Sequence, residues 1–456
     1  MRDKRAKRDP VDRSQRLYAL RAMVIVGAFT MSAVSCPNRI SAQRPFGAHD
    51  KDQSAYALGS FALSVIFVES DGSLDSNQED WTAGQLTNLH VEIEQAVSFW
   101  EGLTSSYHPN AQLDITVDYV NGGVPLDTRY EPITRNGLSS SSFWMNDVMN
   151  SLGYSDTNSN VNTRAFNNDQ RASLDTHWAA TLYVVNDTVD SDNAFSDGYF
   201  AFSLYGGPYV VTTYSNGGWG NSRYDRVLSH ELGHIFFALD EYYASNARNT
   251  ARSGYLNGIN GNAERNAQGA KIPAPQPNAL MLNTVLDPST FTSVQVGHLD
   301  TDGDSIPDIL DTIPYIVATQ ADGDADAGTF SFTGTGHVRP MDNNNPKVWA
   351  ESGAKMTINT LGPASYNLDG QGWIDLPPAD GSYGGYAELI ELELSGLDVG
   401  LHTIDLRITN SMGNHSDLKS YELFVTPEPG SLGMVCFGVL AVLRRGRKRR
   451  RSPVST

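Results

Sequence analysis

The sequence predicts an α+β domain built on a mixed twisted sheet and one chemically loaded helix, followed by an aspartate-rich linker and an all-β sandwich. Three observations predict it. Strand and helix patterns alternate up to about residue 239, aspartates recur at alternate positions after residue 300, and beyond residue 346 short strand-like runs lie between glycines without helical periodicity.

Residues 60–68 form an apolar, β-prone run. Residues 81–103 place Leu86, Leu89, Ile93, Val97 and Trp100 at helical spacing behind a capping box of Thr82 and Gln85. Residues 113–120 alternate as a strand, and 180–185 read as a short buried one. Residues 199–204 and 209–214 suggest a hairpin turning at Gly206, Gly207 and Pro208. The stretch 127–170, rich in Asn, Ser and Asp, predicts loops with short helices.

Residues 225–239 read as a helix, with Ser222 and Asp225 as its cap and Leu228, Leu232, Ile235 and Leu239 as its apolar side. On it His230, Glu231, Leu232, Gly233 and His234 spell HELGH. Two imidazoles four positions apart share a helix face and can hold one Zn2+, and the glutamate between them faces a water on that metal. The plainer alternative is two surface histidines. A catalytic zinc takes three protein ligands and keeps a position open, so a third ligand is needed. Asp240 is the first candidate and Glu241 the second, with Glu264 and His298 further off.

The run HELGHIFFALDEYY resembles the metzincin metallopeptidases, most closely the IgA-peptidase type, whose longer motif ends in histidine or aspartate. It departs from them at Phe237, where a metzincin has the glycine that ends the helix. The resemblance spans roughly residues 55–290. It implies a zinc site of His230, His234 and Asp240, Glu231 as general base, and a methionine turn beneath the metal, for which Met281 in PNALMLN is the candidate. It also implies that an edge strand, residues 199–204, pairs with an extended protein or peptide substrate. Tyr242 or Tyr243 would donate to the oxyanion by the same analogy.

In DTDGDSIPDILD, Asp300, Asp302, Asp304, Asp308 and Asp311 surround Gly303. Closely spaced carboxylates about a glycine turn suit Ca2+, which takes six to eight oxygens. The run resembles thrombospondin type 3 loops. Asp322, Asp324 and Asp326 read as a flexible acidic linker. Strands are expected at 355–361, 387–394, 402–409 and 421–425, and GLHTIDLRITNSMGN resembles bacterial immunoglobulin-like modules, which implies binding or spacing, extracellular matrix contact included.

The ends carry sorting signals. A basic start and an apolar stretch over residues 17–35 read as a secretory leader. Pro427, Glu428 and Pro429, an apolar run to Leu443 and seven basic residues resemble the PEP-CTERM tail, which implies export to the surface, outer membrane or matrix of a Gram-negative-type bacterium. The expected boundaries are therefore leader 1–42, peptidase domain 43–290, calcium loop and linker 291–345, sandwich 346–426 and tail 427–456. Without the 16 basic and four acidic residues of the two ends, the body holds 17 basic and 48 acidic residues, a formal charge of −31. Such a body repels nucleic acid and anionic lipid, and its membrane contact is confined to the terminal segments. Cys36 and Cys436 both lie in those segments, so no disulfide braces the body. Two functions compete: an exported zinc endopeptidase, and a non-catalytic calcium-binding surface or matrix protein on a degenerate peptidase fold.

Overall fold

A computed structural model describes residues 44–77, 79–348 and 352–427. The leader, with Cys36, and the tail from residue 428 lie outside the described residues. Among those described, no helix is long and apolar enough to cross a membrane.

The first sheet runs β2-β1-β4-β6-β5: β1 is Gly59–Ser70, β2 Leu113–Tyr119, β4 Trp178–Val185, β5 Ala201–Ser203 and β6 Tyr209–Thr213, and β3, Leu126–Thr128, extends the β1 edge. All pairs are parallel except β5 with β6. β4 is buried along its whole length, because helices cover both faces. On one face lies α1, Ala83–Thr104, with the expected Thr82–Gln85 capping box formed and Leu89, Ile93, Val97 and Trp100 buried.

On the other face, the expectation of loops with short helices across 127–170 holds for the presence of helices and is corrected in their length. Two helices of 15 residues, α2 (Gly137–Ser151) and α3 (Ser159–Ser173), pack there. Trp144, Met145, Val148 and Phe166 meet Ile66, Val68, Tyr183 and Val211 in a second core cluster. A narrow apolar stripe sufficed for burial, and the polar residues that suggested loops include the caps: Asn136 accepts from Ser139 N and Asn158 from Asn160 N.

α4, Tyr224–Ile235, is shorter than the expected 225–239, and Arg223 precedes it with no side-chain cap bond, so the Ser222–Asp225 cap does not form. The backbone N of Asp225 instead donates to Glu92 of α1. A short hairpin, β7 (Arg252–Ser253) with β8 (Gly258–Ile259), and two brief helices, α5 (Leu280–Asn283) and α6 (Thr290–Gln295), complete this region.

The distal boundaries also change. Strand β10 (Thr329–His337) pairs antiparallel with β9 (Tyr315–Asp324) on one side and β15 (Ala387–Leu394) on the other, so the sandwich begins near residue 315, not 346. Asp322 and Asp324 belong to a strand, not to a flexible linker. The facing sheet runs β14-β13-β16-β17, with β13 Leu361–Leu368, β14 Ile374–Asp375, β16 Gly400–Asn410 and β17 Lys419–Val425. Phe330, Phe332, Ile390 and Leu392 bury against Ile404, Leu406, Ile408 and Leu423. The expected strand 355–361 is broken up: β12 (Lys355–Met356) pairs with β11 (Met341–Asp342), Thr357 bridges Phe46, and Leu361 begins the next strand. That excursion returns to the first core, where Met356 and Ile358 are buried and the Tyr255 hydroxyl donates to the Met341 and Met356 carbonyls. Ile306, Ile309 and Leu310, within the aspartate run, are buried there too, so 291–345 is not a free linker.

Candidate metal centre and active site

α4 lies between α1 and the sheet edge, with Leu228, Leu232 and Ile235 in the core and the Trp100 indole donating to the Ser229 carbonyl. His230 and His234, one turn apart, stand with ring centroids 5.0 Å apart and planes perpendicular. His230 Nδ1 donates to the Leu280 carbonyl at 3.0 Å, and His234 Nδ1 to the Ala238 carbonyl at 2.8 Å. Each bond fixes a tautomer whose Nε2 carries a free lone pair.

The helix stops so that a carboxylate can reach those nitrogens. Ala238 N bonds to the Gly233 carbonyl and Phe237 N to the His234 carbonyl, the paired bonds of a Schellman ending. The left-handed residue, φ 70°, is Phe237, where a glycine is usual. Its ring occupies the space in which a side chain on Gly206 would stand, 2.3 Å from a Cβ placed there, so the small residue lies across the contact instead of at the turn. The reversed chain brings Asp240 Oδ1 to 3.1 Å from His230 Nε2 and 3.4 Å from His234 Nε2.

His230, His234 and Asp240 thus offer three ligand atoms within 4.8 Å of one another. Three lone-pair donors aimed at one point repel unless a cation or a proton sits among them. Burial opposes charge on His234, but Asp240 outweighs it and pushes the imidazole up to about 9. Burial likewise opposes charge on Asp240, yet His234 and His230 hold its carboxyl well below the usual range. Nitrogen and carboxylate donors in a trio with one side open fit zinc.

Glu231 is buried beside this trio, and its Oε2 accepts from Ser203 Oγ at 2.7 Å. Ser203 ends the edge strand β5 and also donates to the Glu231 carbonyl. Sequence reasoning missed Ser203, because only strand pairing brings it to the helix. It missed Tyr205 as well, whose ring lies 5.3 Å from His234. Tyr242 stands 6.3 Å from the His230 ring, whereas Tyr243 packs beneath the Arg265 guanidinium. Met281 is fully buried under the helix, its Sδ 2.9 Å from where a Cβ on Gly233 would lie.

The other ligand candidates are occupied elsewhere. The Glu241 carboxylate accepts from Asn262, Ser289 and Thr292. Glu264 accepts from the Tyr243 backbone, and His298 donates to the Ala57 carbonyl, burial holding its pKa down at about 4. In the aspartate loop Asp300, Asp302 and Asp304 converge around Gly303, which has φ 76°. Asp308 and Asp311 do not join them. Asp308 accepts from Thr301 and Asp311 from Asn414.

No protein-family model and no curated protein matches this sequence. Among solved structures, the chain is similar to wild-type OgpA from Akkermansia muciniphila, at 10% identity over 81% of this chain and 94% of that one, with a TM-score of 0.25. It is similar also to catalytically inactive OgpA in complex with an O-glycopeptide substrate, at 8% identity over the same shares and a TM-score of 0.23. A human FNIII domain aligns whole with 30% of this chain at 14% identity and a TM-score of 0.16. TM-scores this low carry neither fold nor activity across, so function rests on the site.

Proposed function

We propose that the chain is an exported, zinc-dependent endopeptidase that hydrolyses peptide bonds of extracellular or surface proteins. The observation that supports this best is the convergence of His230 Nε2, His234 Nε2 and Asp240 Oδ1, with the Glu231 carboxylate beside them. His230, His234 and Asp240 would hold the zinc, which would supply Lewis acidity to a water and to the scissile carbonyl.

The protein's own residues do the rest. Glu231 accepts a proton from the attacking water and returns it to the leaving amine, a role that needs a carboxylate held near the metal but not bound to it. Ser203 holds one oxygen of Glu231 and leaves the other to work. The edge of β5 offers unpaired main-chain groups to an extended peptide. Tyr242, near His230, is the candidate oxyanion donor. Met281 provides the apolar floor that keeps the helix and its imidazoles fixed.

Within the same proposal, calcium bound by Asp300, Asp302 and Asp304 braces the junction to the sandwich, an immunoglobulin-like spacer. Export rests on the terminal signals and on the cysteine-free, acidic body. The competing reading, a non-catalytic surface protein, gives Glu231 no task.

The test is to express residues 43–427 with calcium, measure bound zinc and compare casein cleavage with Glu231→Gln. Retained zinc with activity reduced by about three orders of magnitude supports the mechanism. Equal activity in both proteins, or none in either with zinc bound, overturns it.

A further inference from the structure

The body of this protein is acidic, yet the cleft beside the metal trio is lined by two cations. It measures about 380 Å³ and is bounded by Tyr205, Asp240, Asn246, Arg248, Thr250 and Lys347. Lys347 Nζ stands 5.9 Å from the Tyr205 ring centroid, and that ring in turn lies 5.3 Å from His234. The cleft therefore opens one aromatic ring away from the imidazoles. Arg248 and Lys347 are exposed, and neither is in any of the ion pairs found among the described residues. Asp240, the acid in the cleft wall, is committed to the imidazoles at 3.1 and 3.4 Å.

Resting on the peptidase reading, we infer that this cleft is a carboxylate-binding subsite that sets substrate preference. A guanidinium and an ammonium with no carboxylate paired to them among the described residues suit a bound anion, the first as a two-pronged donor and the second as a point charge. Asn246 and Thr250 add neutral donors in the same wall. Screening over roughly 8 Å at physiological salt weakens the field of the acidic body more than that of cations in direct contact with the ligand. An anionic substrate group is repelled over most of the surface and accepted here. Lys347 comes from the excursion that joins the sandwich to the first core, so the distal region contributes to specificity. The carboxylate has two sources, an Asp or Glu side chain beside the scissile bond or the free C-terminus of a short peptide.

The experiment uses residues 43–427 and quenched fluorescent peptides in matched pairs: Asp against Asn at each position flanking the cut, and free C-terminus against C-terminal amide. The expected result is a kcat/KM at least roughly tenfold higher for the charged member of one pair, shrinking with added salt. That ratio falls towards one in Arg248→Gln and Lys347→Gln and holds in Lys419→Gln, which removes a charge from the distal sheet. A preference in the Asp pair assigns the subsite to a side chain; one in the amide pair assigns it to the C-terminus. Cleavage of all peptides with ratios near one, or a ratio unchanged in both cleft variants, overturns the inference and leaves the peptidase reading standing. No cleavage of any peptide by the zinc-loaded protein overturns both.

Discussion

β1, β4 and β6 pair in parallel and are apolar on both faces, whereas β10 and β15 pair antiparallel and alternate buried with exposed residues. The first arrangement needs helices on both faces; the second needs only one partner sheet. The consequence reaches the chemistry. Helices and crossovers bring distant loops to one sheet edge, and there buried imidazoles and carboxylates gather around α4. The sandwich closes on a core of aliphatic and aromatic side chains and leaves its polar groups on the surface. One region gathers buried imidazoles and carboxylates at some cost in desolvated charge, and the other is built for shape.

The largest expected difference between the regions follows from Asp240→Ala. If Asp240 is the third ligand as proposed, removing it should weaken zinc binding by at least about 100-fold, more than loss of an outer-shell partner typically does. Zinc titration checks this; unchanged occupancy would place the ligand elsewhere. Leu406→Ala in the sandwich core should instead cost about 2–5 kcal/mol of stability, read by denaturant unfolding, with zinc stoichiometry of the folded protein preserved. If zinc is lost as well, the two regions are not separable.

Phe237→Gly sets two effects against each other. Glycine relieves left-handed strain worth roughly 1 kcal/mol, but deleting a ring packed on Gly206 costs about 3–5 kcal/mol, so packing wins and the variant is less stable by about 2–4 kcal/mol. A more stable variant would show that the ring is not holding the turn.

The smallest difference is in pH response, and its sign differs between the regions. His177 is half-buried beside β1, and desolvation lowers its pKa from 6.5 to about 4. The unfolded chain binds that proton first, so stability falls as pH drops from about 6.5 to about 4, by at most about 3 kcal/mol. On the sandwich, the bond of His402 to the Asp398 carbonyl and its pairing with Asp369 raise its pKa. That contribution is complete in acid and is lost as pH rises through the raised value. Unfolding curves followed by probes in each region should therefore separate under mild acid, the first region weakening ahead of the second. Coincident curves would show a single cooperative unit.

Much of the first region was legible because its signals are local. The 82–85 capping box, the apolar stripe of α1, the β5–β6 hairpin and the HELGH spacing each need only a few consecutive residues. The helices α2 and α3 were expected only as short pieces among loops, and their full length was not read because their apolar stripes are thin and surrounded by Asn and Ser. The sandwich was begun some thirty residues late because β9 and β10 carry Gly, Thr and Asp on their exposed faces. Five aspartates were grouped by spacing alone; Asp300, Asp302 and Asp304 converge, while Asp308 accepts from Thr301 and Asp311 from Asn414.

The sequence by itself determined which side chains could hold a metal, because four-residue spacing on a helix places two imidazoles on one face without help from the rest of the chain. It left Asp240 and Glu241 as rivals, since adjacent carboxylates at a helix end differ only in the direction they point. Tertiary structure decided between them: the Phe237 turn, permitted by Gly206, sends Asp240 to the imidazoles, while Asn262, Ser289 and Thr292 draw Glu241 into the interior. Ser203 on Glu231 and Lys347 on Tyr205 are likewise products of packing, because contacts between residues 28 and 142 positions apart depend on how the whole chain closes and leave no local pattern.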